Sequence, residues 1–217
     1  MQVTGSNNRP YVYNAKLSIR LRQDGQFCSL DEAEGQTIVP GATIEVVVDG
    51  AVCVSYPRRE EGRIDLRALL SDAGVPVAEA DGVVTVSNDG PVAYALCIEA
   101  EQYGRLVGLA ERSGAELRFT TPLSAVVARA VVGSRHDKCV VLSRSNGTLY
   151  VAYTEGRRLL YAEALPLTDN ADEDMLYVMA VLNGDFDLRR ADIIIIGMGA
   201  KEHYKVLRHY FRRCKCE

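Results

Sequence analysis

CVVLSRSNGTLYVAYTEGRRLLYAEAL, residues 139–165, reads as three successive β-strands. Apolar residues fill 139–144, 148–153 and 158–165, and Asn146-Gly147 and Glu155-Gly156 separate them. Asn-Gly supplies left-handed backbone at both central positions of a tight turn, so an antiparallel meander is the simplest arrangement. Downstream, Asn170 can cap a helix and Glu173 can return the bond, with Met175, Leu176, Met179 and Leu182 on one side and Asn183-Gly184 as the stop. Residues 193–196 are all isoleucine, which implies a strand buried on both faces near the middle of a mixed sheet. Gly197-Met198-Gly199 then leads into a helix over 200–213, with Tyr204, Leu207, Tyr210 and Phe211 facing inward.

The opening of the chain repeats the first part of that design. In LSIRLRQDGQFCSL, residues 17–30, Leu17, Ile19 and Leu21 alternate with polar residues and Asp24-Gly25 forms the turn. Strands are expected over 43–48 and 51–56 around Asp49-Gly50, and over 83–87 and 93–98 around Asn88-Asp89-Gly90-Pro91. Helices are expected over 63–73, ended by Gly74, and over 99–113, ended by Gly114, followed by a strand over 116–120. The apolar run 122–132 fits either a strand or a buried helix.

Three hairpin-linked strands, a covering helix, a central strand, a glycine turn and a final helix form a ribonuclease-H-like unit. Two such units, 11–133 and 134–217, each with a mixed sheet flanked by helices, make an α/β molecule of the actin-like type, with a working cleft expected between them. At 217 residues the chain is long enough to bury about 70% of its unfolded surface without staples. The start, 1–10, is polar, and six cysteines in a chain of this length do not form the framework of a small secreted domain, so reduced thiols and a cytoplasmic location are expected. The strongly apolar run 193–198 is far shorter than the roughly 20 residues that span a bilayer. A net charge of −4 argues against nucleic acid as the partner of the whole surface.

The run Leu17-Ser18-Ile19-Arg20-Leu21 with Asp24-Gly25, the segment Asp172-Glu173-Asp174-Met175-Leu176-Tyr177, and Ile194-Ile195-Ile196-Gly197 followed by Tyr204 and Leu207 resemble an uncharacterised bacterial protein family. That family is similar in fold to the actin-like ATPases, whose wider superfamily includes sugar kinases, chaperone ATPases and scaffold proteins of cell division and pilus assembly. The resemblance implies a fold and carries no established activity.

In the catalytic members each hairpin holds a phosphate loop and an acidic residue on its first strand helps position hydrated magnesium. Here 17–22 carries Arg20 and Arg22 instead, and 139–144 has no carboxylate, so the nearest acidic residues are Asp24 and Asp137. If a nucleotide binds, the residues to hold it are Asp24, Gly25, Asn146, Gly147, Thr148, Gly197 and Gly199. The plainer readings are a hairpin turn at Asn146-Gly147 and an ordinary strand-to-helix turn at Gly197. No catalytic residue and no metal ligand set is identified. Cys214 and Cys216 lie where a tail frays, His203 and His209 read as surface residues, and no cysteine sits in an activating context. Lys201, Lys205, Arg208, Arg212 and Arg213 on the final helix invite a nucleic-acid or acidic partner, and the plainer cause is that basic residues toward a helix C-terminus are favoured by its dipole. The expectation is a non-catalytic scaffold or adaptor with a protein partner, a degenerate nucleotide site and no cofactor; the alternative is a kinase or slow ATPase that binds magnesium-ATP.

Overall fold

The computed structural model describes residues 18–23, 26–86, 92–133, 137–167, 170–197 and 200–217. Contacts group the chain into two compact units, one of them Leu17–Ser124 and the other containing Ala125–Glu217.

In the first unit, β1 (Ser18–Gln23) and β2 (Gln26–Ser29) pair antiparallel with Gln23 opposite Gln26. Ser29 and Glu32 then form a reciprocal cap on the short α1 (Leu30–Glu34): Ser29 N–H donates to Glu32 Oε2 at 2.7 Å and Glu32 N–H to Ser29 Oγ at 3.2 Å. β3 (Thr43–Asp49) buries Ile44, Val46 and Val48 on one face. It pairs antiparallel with β1 on one side and parallel with β7 (Glu116–Thr120) on the other.

The Asp49-Gly50 hairpin expected from sequence does not form. Both edges of β3 are already occupied, so the chain leaves through Gly50, at φ +87°, and enters a separate three-stranded sheet. That sheet has the order β4 (Val54–Pro57), β6 (Val92–Ile98), β5 (Gly82–Val86). α2 (Leu66–Asp72) covers it, capped by Asp65, which accepts from the N–H groups of Arg67 and Ala68 at 2.9 and 3.1 Å. Tyr56, Leu70, Val75, Ala93 and Ala95 form the core beneath. α3 (Ala100–Ser113) ends at Gly114 in the left-handed region and leads into β7.

The ambiguous run is a helix, α4 (Pro122–Val132), and it belongs almost wholly with the second unit. Thr154 Oγ1 donates to the Ala130 carbonyl at 3.0 Å, and Arg129 grips Glu217 through two bonds of 2.6 and 2.7 Å. β8 (Lys138–Ser145), β9 (Thr148–Glu155) and β10 (Arg158–Pro166) form the expected meander. α5 (Ala171–Phe186) is capped by Asn170 as expected, yet it runs past Asn183-Gly184. It ends at Asp187, φ +51°, where Lys138 Nζ donates to the carbonyls of Phe186 and Asp187 at 2.8 and 3.1 Å. Asn183 Oδ1 accepts from Leu188 N–H at 2.9 Å, so the amide secures the next turn instead of stopping the helix.

β11 (Asp192–Ile196) lies parallel to β8, with Ile193, Ile194 and Ile195 buried. α6 (Ala200–Leu207) is shorter than the sequence suggests, because the chain turns at 208–210 and returns as β12 (Cys214–Cys216), parallel to β11. The two terminal cysteines are therefore part of an edge strand. The order β10-β9-β8-β11-β12 is the ribonuclease-H-like one, with α5 and α6 as crossovers.

The sheet β2-β1-β3-β7 repeats the first four places of that order, with the same succession of antiparallel, antiparallel and parallel pairs. By pairing, the counterpart of β8 is therefore β3. The hairpin β1–β2 corresponds to β9–β10, one place further from the parallel pair than the hairpin repeat in the sequence suggests.

Two stability predictions follow from this packing. A Cβ at Gly82 would lie 2.2 Å from the Tyr103 ring, so Gly82→Ala is expected to lower stability in urea titration by about 1–3 kcal/mol. The hydrogen bonds from Arg129, with those from Lys215, hold the Glu217 carboxyl down at about 2. Its contribution is complete above the ordinary value of 4.5 and is lost as pH falls toward 2, so Glu217→Gln should flatten the fall in stability over that window.

Candidate functional site

β8 and β11 run in the same direction and end together, with Ser143 opposite Ile196. The loops that leave their carboxyl ends thus share one edge of the sheet, the place where ligands bind in open α/β sheets. The β8–β9 loop is Asn146-Gly147, with φ of +47° and +70°, closed by the pair Ser145↔Thr148. The Gly147 carbonyl accepts from Leu167 N–H at 2.8 Å, and the space a Cβ would occupy at Gly147 is open. Gly197, at φ +89°, follows β11, and a Cβ there would come within 3.0 Å of Ser143 Oγ. Its carbonyl accepts from Ala200 N–H at 3.3 Å, at the start of α6.

Of the residues read from sequence as a nucleotide site, Asn146, Gly147, Thr148 and Gly197 fall on this edge. Asp24, Gly25 and Gly199 lie outside the described residues, as do Met198 and His136. Ser143 and Thr148 are buried hydroxyls at the edge. Ser143 was missed, although a lone serine inside the apolar run 139–144 is a signal for it.

Asp137 is at the wrong end. It precedes β8, and its carbonyl accepts from Gly156 N–H at 2.8 Å in the opposite turn. Nine steps along β8 at ~3.3 Å each put it roughly 30 Å from Asn146. Asp49 occupies the carboxyl end of β3, the counterpart of β8, and is only 1% exposed. Near that end Thr121 is buried and its Oγ1 lies 3.7 Å from Cys53 Sγ. The sequence presented Asp49 as half of a hairpin turn, and only the pairing of β3 shows its place.

The fold's usual ligand, magnesium-ATP, divides into two demands. Phosphate needs N–H and hydroxyl donors, which the backbone of Asn146 and Gly147, the hydroxyls of Ser143 and Thr148, and the start of α6 supply. Magnesium needs carboxylate oxygen, and among the described residues β8 and the loops after β8 and β11 carry none; the carboxylates of the neighbouring elements are in the first turn of α5, where Asp172 approaches His203, and at Glu217 after β12, which Arg129 holds. Asp49, at the end of β3, is enclosed.

Among the described residues no group of three or more His, Cys, Asp or Glu side chains converges as a metal site. Burial raises the Cys53, Cys97, Cys139 and Cys214 thiols to about 11, and burial, with Glu32 adding to it, raises Cys28, so these sulfurs stay protonated and unreactive at neutral pH. His203 is buried, contrary to the surface position expected for it, with Nδ1 3.4 Å from Asp172 Oδ1. No helix among the described residues is long and apolar enough to cross a membrane.

No family model and no curated sequence matches the chain. Among solved structures it is similar to a Bacteroides thetaiotaomicron protein with an actin-like ATPase fold and unknown function: TM-score 0.63, 14% identity, covering 80% of this chain and 67% of that one. The chain has the actin-like ATPase fold. Looser similarity extends to the PilM–PilN type IV pilus biogenesis complex, with TM-score 0.47, 11% identity and coverage of 81% and 69%. The ethanolamine utilization protein EutJ of Carboxydothermus hydrogenoformans gives 0.38, 11% identity and coverage of 55% and 57%.

The close approach of Gly197 to Ser143 is testable by a double-mutant cycle. Gly197→Ala is expected to cost about 1–3 kcal/mol in denaturant titration, and adding Ser143→Ala should recover the part due to the 3.0 Å contact while leaving the backbone part.

Proposed function

We propose that the protein is a non-catalytic actin-like scaffold or adaptor that binds other protein and whose nucleotide site is degenerate. One observation carries this reading: β8, the Asn146-Gly147 loop, the start of β9 and Gly197 after β11 carry no carboxylate at the positions that would flank a phosphate. Phosphoryl transfer in this fold depends on metal and cationic groups to take up developing charge, and with donors alone an anion can be held but not activated. The burial of Asp49 supports the same conclusion from the first unit, because a carboxylate that is 1% exposed serves the core and not a hydrated ion.

A protein partner accords with the charge pattern. The net charge of −4 is the wrong sign for a general nucleic-acid binder, and the basic residues near the C-terminal end are partly engaged within the fold. Arg208 stacks over the Tyr204 ring, 5.9 Å from its centroid, and Arg213 Nη1 donates to the Arg190 carbonyl at 3.0 Å.

The alternative, an ATP-binding kinase or slow ATPase, draws on the open approach to Gly147 and the left-handed Gly197, both suited to a phosphate. Calorimetric titration and thermal shift with magnesium-ATP, ATP in chelator and inorganic phosphate separate the two. The scaffold reading expects no metal-dependent binding and the same small thermal shift with ATP whether or not magnesium is present. Tight binding that requires magnesium, seen as a shift growing with ligand concentration only when the metal is supplied, overturns it.

A further inference from the structure

A groove of about 640 Å³ opens on the second unit, walled by α5 and by residues 210–213. From α5 it takes Leu176, Met179, Ala180 and Asn183, spaced three and four apart, so one stripe of the helix forms a wall over two turns, ~10 Å. Buried Met179, Leu188 and Ala191 make an apolar floor, with half-buried Leu176 and Phe211 beside it. The rim is cationic. Arg189, Arg212 and Arg213 line the groove, and its described lining contains no carboxylate. Residues 188–213 hold seven lysines and arginines against two aspartates and glutamates, in a chain whose net charge is −4. These arginines are not equally free. Arg189 is matched by Asp187 at 2.6 Å, so its charge is answered within the fold. Arg213 gives Nη1 to the Arg190 carbonyl at 3.0 Å, a neutral acceptor that leaves its charge uncompensated. Arg212 is exposed and has no ion-pair partner among the described residues. Asn183 adds a neutral donor, because its Oδ1 is held by Leu188 N–H at 2.9 Å and its Nδ2 remains for a ligand.

We propose that this groove binds an acidic segment of a partner protein, one bulky apolar side chain seated on the floor of Met179, Leu188 and Ala191 and flanking carboxylates held by Arg212 and Arg213. The inference rests on the adaptor reading for the class of partner and on the groove for its chemistry. A guanidinium presents paired N–H donors that match the two oxygens of a carboxylate, so the rim selects acidic side chains, and the floor selects an apolar one between them. Single-stranded nucleic acid fits less well. It needs aromatic platforms for successive bases, and Tyr210, at 66%, is the one exposed ring of the lining. A membrane surface calls for apolar side chains that project from a basic face, whereas here the apolar atoms lie at the bottom of a groove. Because both unanswered arginines are exposed, their attraction is screened by salt and the complex is reversible.

Fluorescence anisotropy on the full chain, without nucleotide or magnesium, tests this with a peptide of roughly 12 residues that interleaves glutamate with leucine and phenylalanine. Its controls carry lysine for each glutamate, or serine for each apolar residue, and a single-stranded oligonucleotide of similar length completes the set. The acidic, apolar peptide alone is expected to bind saturably, and more weakly in ~0.5 M salt. Arg212→Glu and Ala180→Glu should each raise its dissociation constant at least ~10-fold, Arg212→Lys should keep most of the binding, and the melting temperature should stay unchanged because both positions are exposed. No binding of the acidic peptide, equal binding of the lysine or serine control, preference for the oligonucleotide, or indifference to Arg212→Glu overturns the proposal. So does a second copy of the chain in the groove, seen as a sedimentation mass above 23.8 kDa that Ala180→Glu returns to that value. Failure of the peptides leaves the adaptor reading to the magnesium-ATP titration, and metal-dependent ATP binding removes that reading without deciding the groove.

Discussion

The parallel contact between β8 and β11 is the constraint on which the second unit depends. Ile193, Ile194 and Ile195 are each at most 1% exposed, so β11 must have a strand on either side and a covered face above and below. Those demands call for β8 and β12 as neighbours and for helical crossovers that reach them. Burying one isoleucine side chain is worth about 1.5–3 kcal/mol, so three in succession outweigh any local preference of the flanking segments. One such preference is the expected continuation of α6. The chain breaks that helix at Leu207 and spends 214–216 on an edge strand, because the alternative leaves one side of β11 without hydrogen-bond partners.

Where the sequence was legible, the physics was local. Asn146-Gly147 formed the hairpin it encodes, Asn170 capped α5, Gly114 ended α3 in the left-handed region, and the isoleucine run became an interior strand. The misreadings share a cause, which is that competition among neighbours decided them. Asp49-Gly50 has the same turn chemistry as Asn146-Gly147, and Gly50 does take a positive φ, but β1 and β7 already hold both edges of β3. Asn183-Gly184 reads as a stop, yet Lys138 from β8 covers the carbonyls one turn later and Asn183 turns its amide to Leu188. His203 looked like a surface residue because its burial depends on how α6 packs, a contact that no spacing within α6 encodes.

The candidate site was half legible for a related reason. Glycines at loop positions can be read from sequence, since a positive φ restricts residue choice, and Gly147 and Gly197 both take such values. Buried polar groups are harder to find, because Ser143 and Asp49 acquire their meaning only from the strands beside them. The permuted strand order adds to the difficulty. A hairpin that repeats in sequence invites the inference that it repeats in the sheet, and here β1–β2 takes the places of β9–β10, leaving β3 to stand for β8.

That correspondence sharpens the argument about chemistry. The two central strands end alike, β3 in Asp49-Gly50 and β8 in Ser145-Asn146-Gly147, each with a short polar side chain followed by a glycine of positive φ. A carboxylate and an amide of nearly equal size differ mainly in charge, and the charged one is the one enclosed, at 1% exposure, whereas Asn146 stands in the open. For a magnesium-dependent enzyme the reverse assignment is the useful one, because an ion with its water shell must approach the carboxylate from solvent. With the carboxylate inside and the amide outside, neither of these two strand ends offers a hydrated ion a carboxylate that faces solvent.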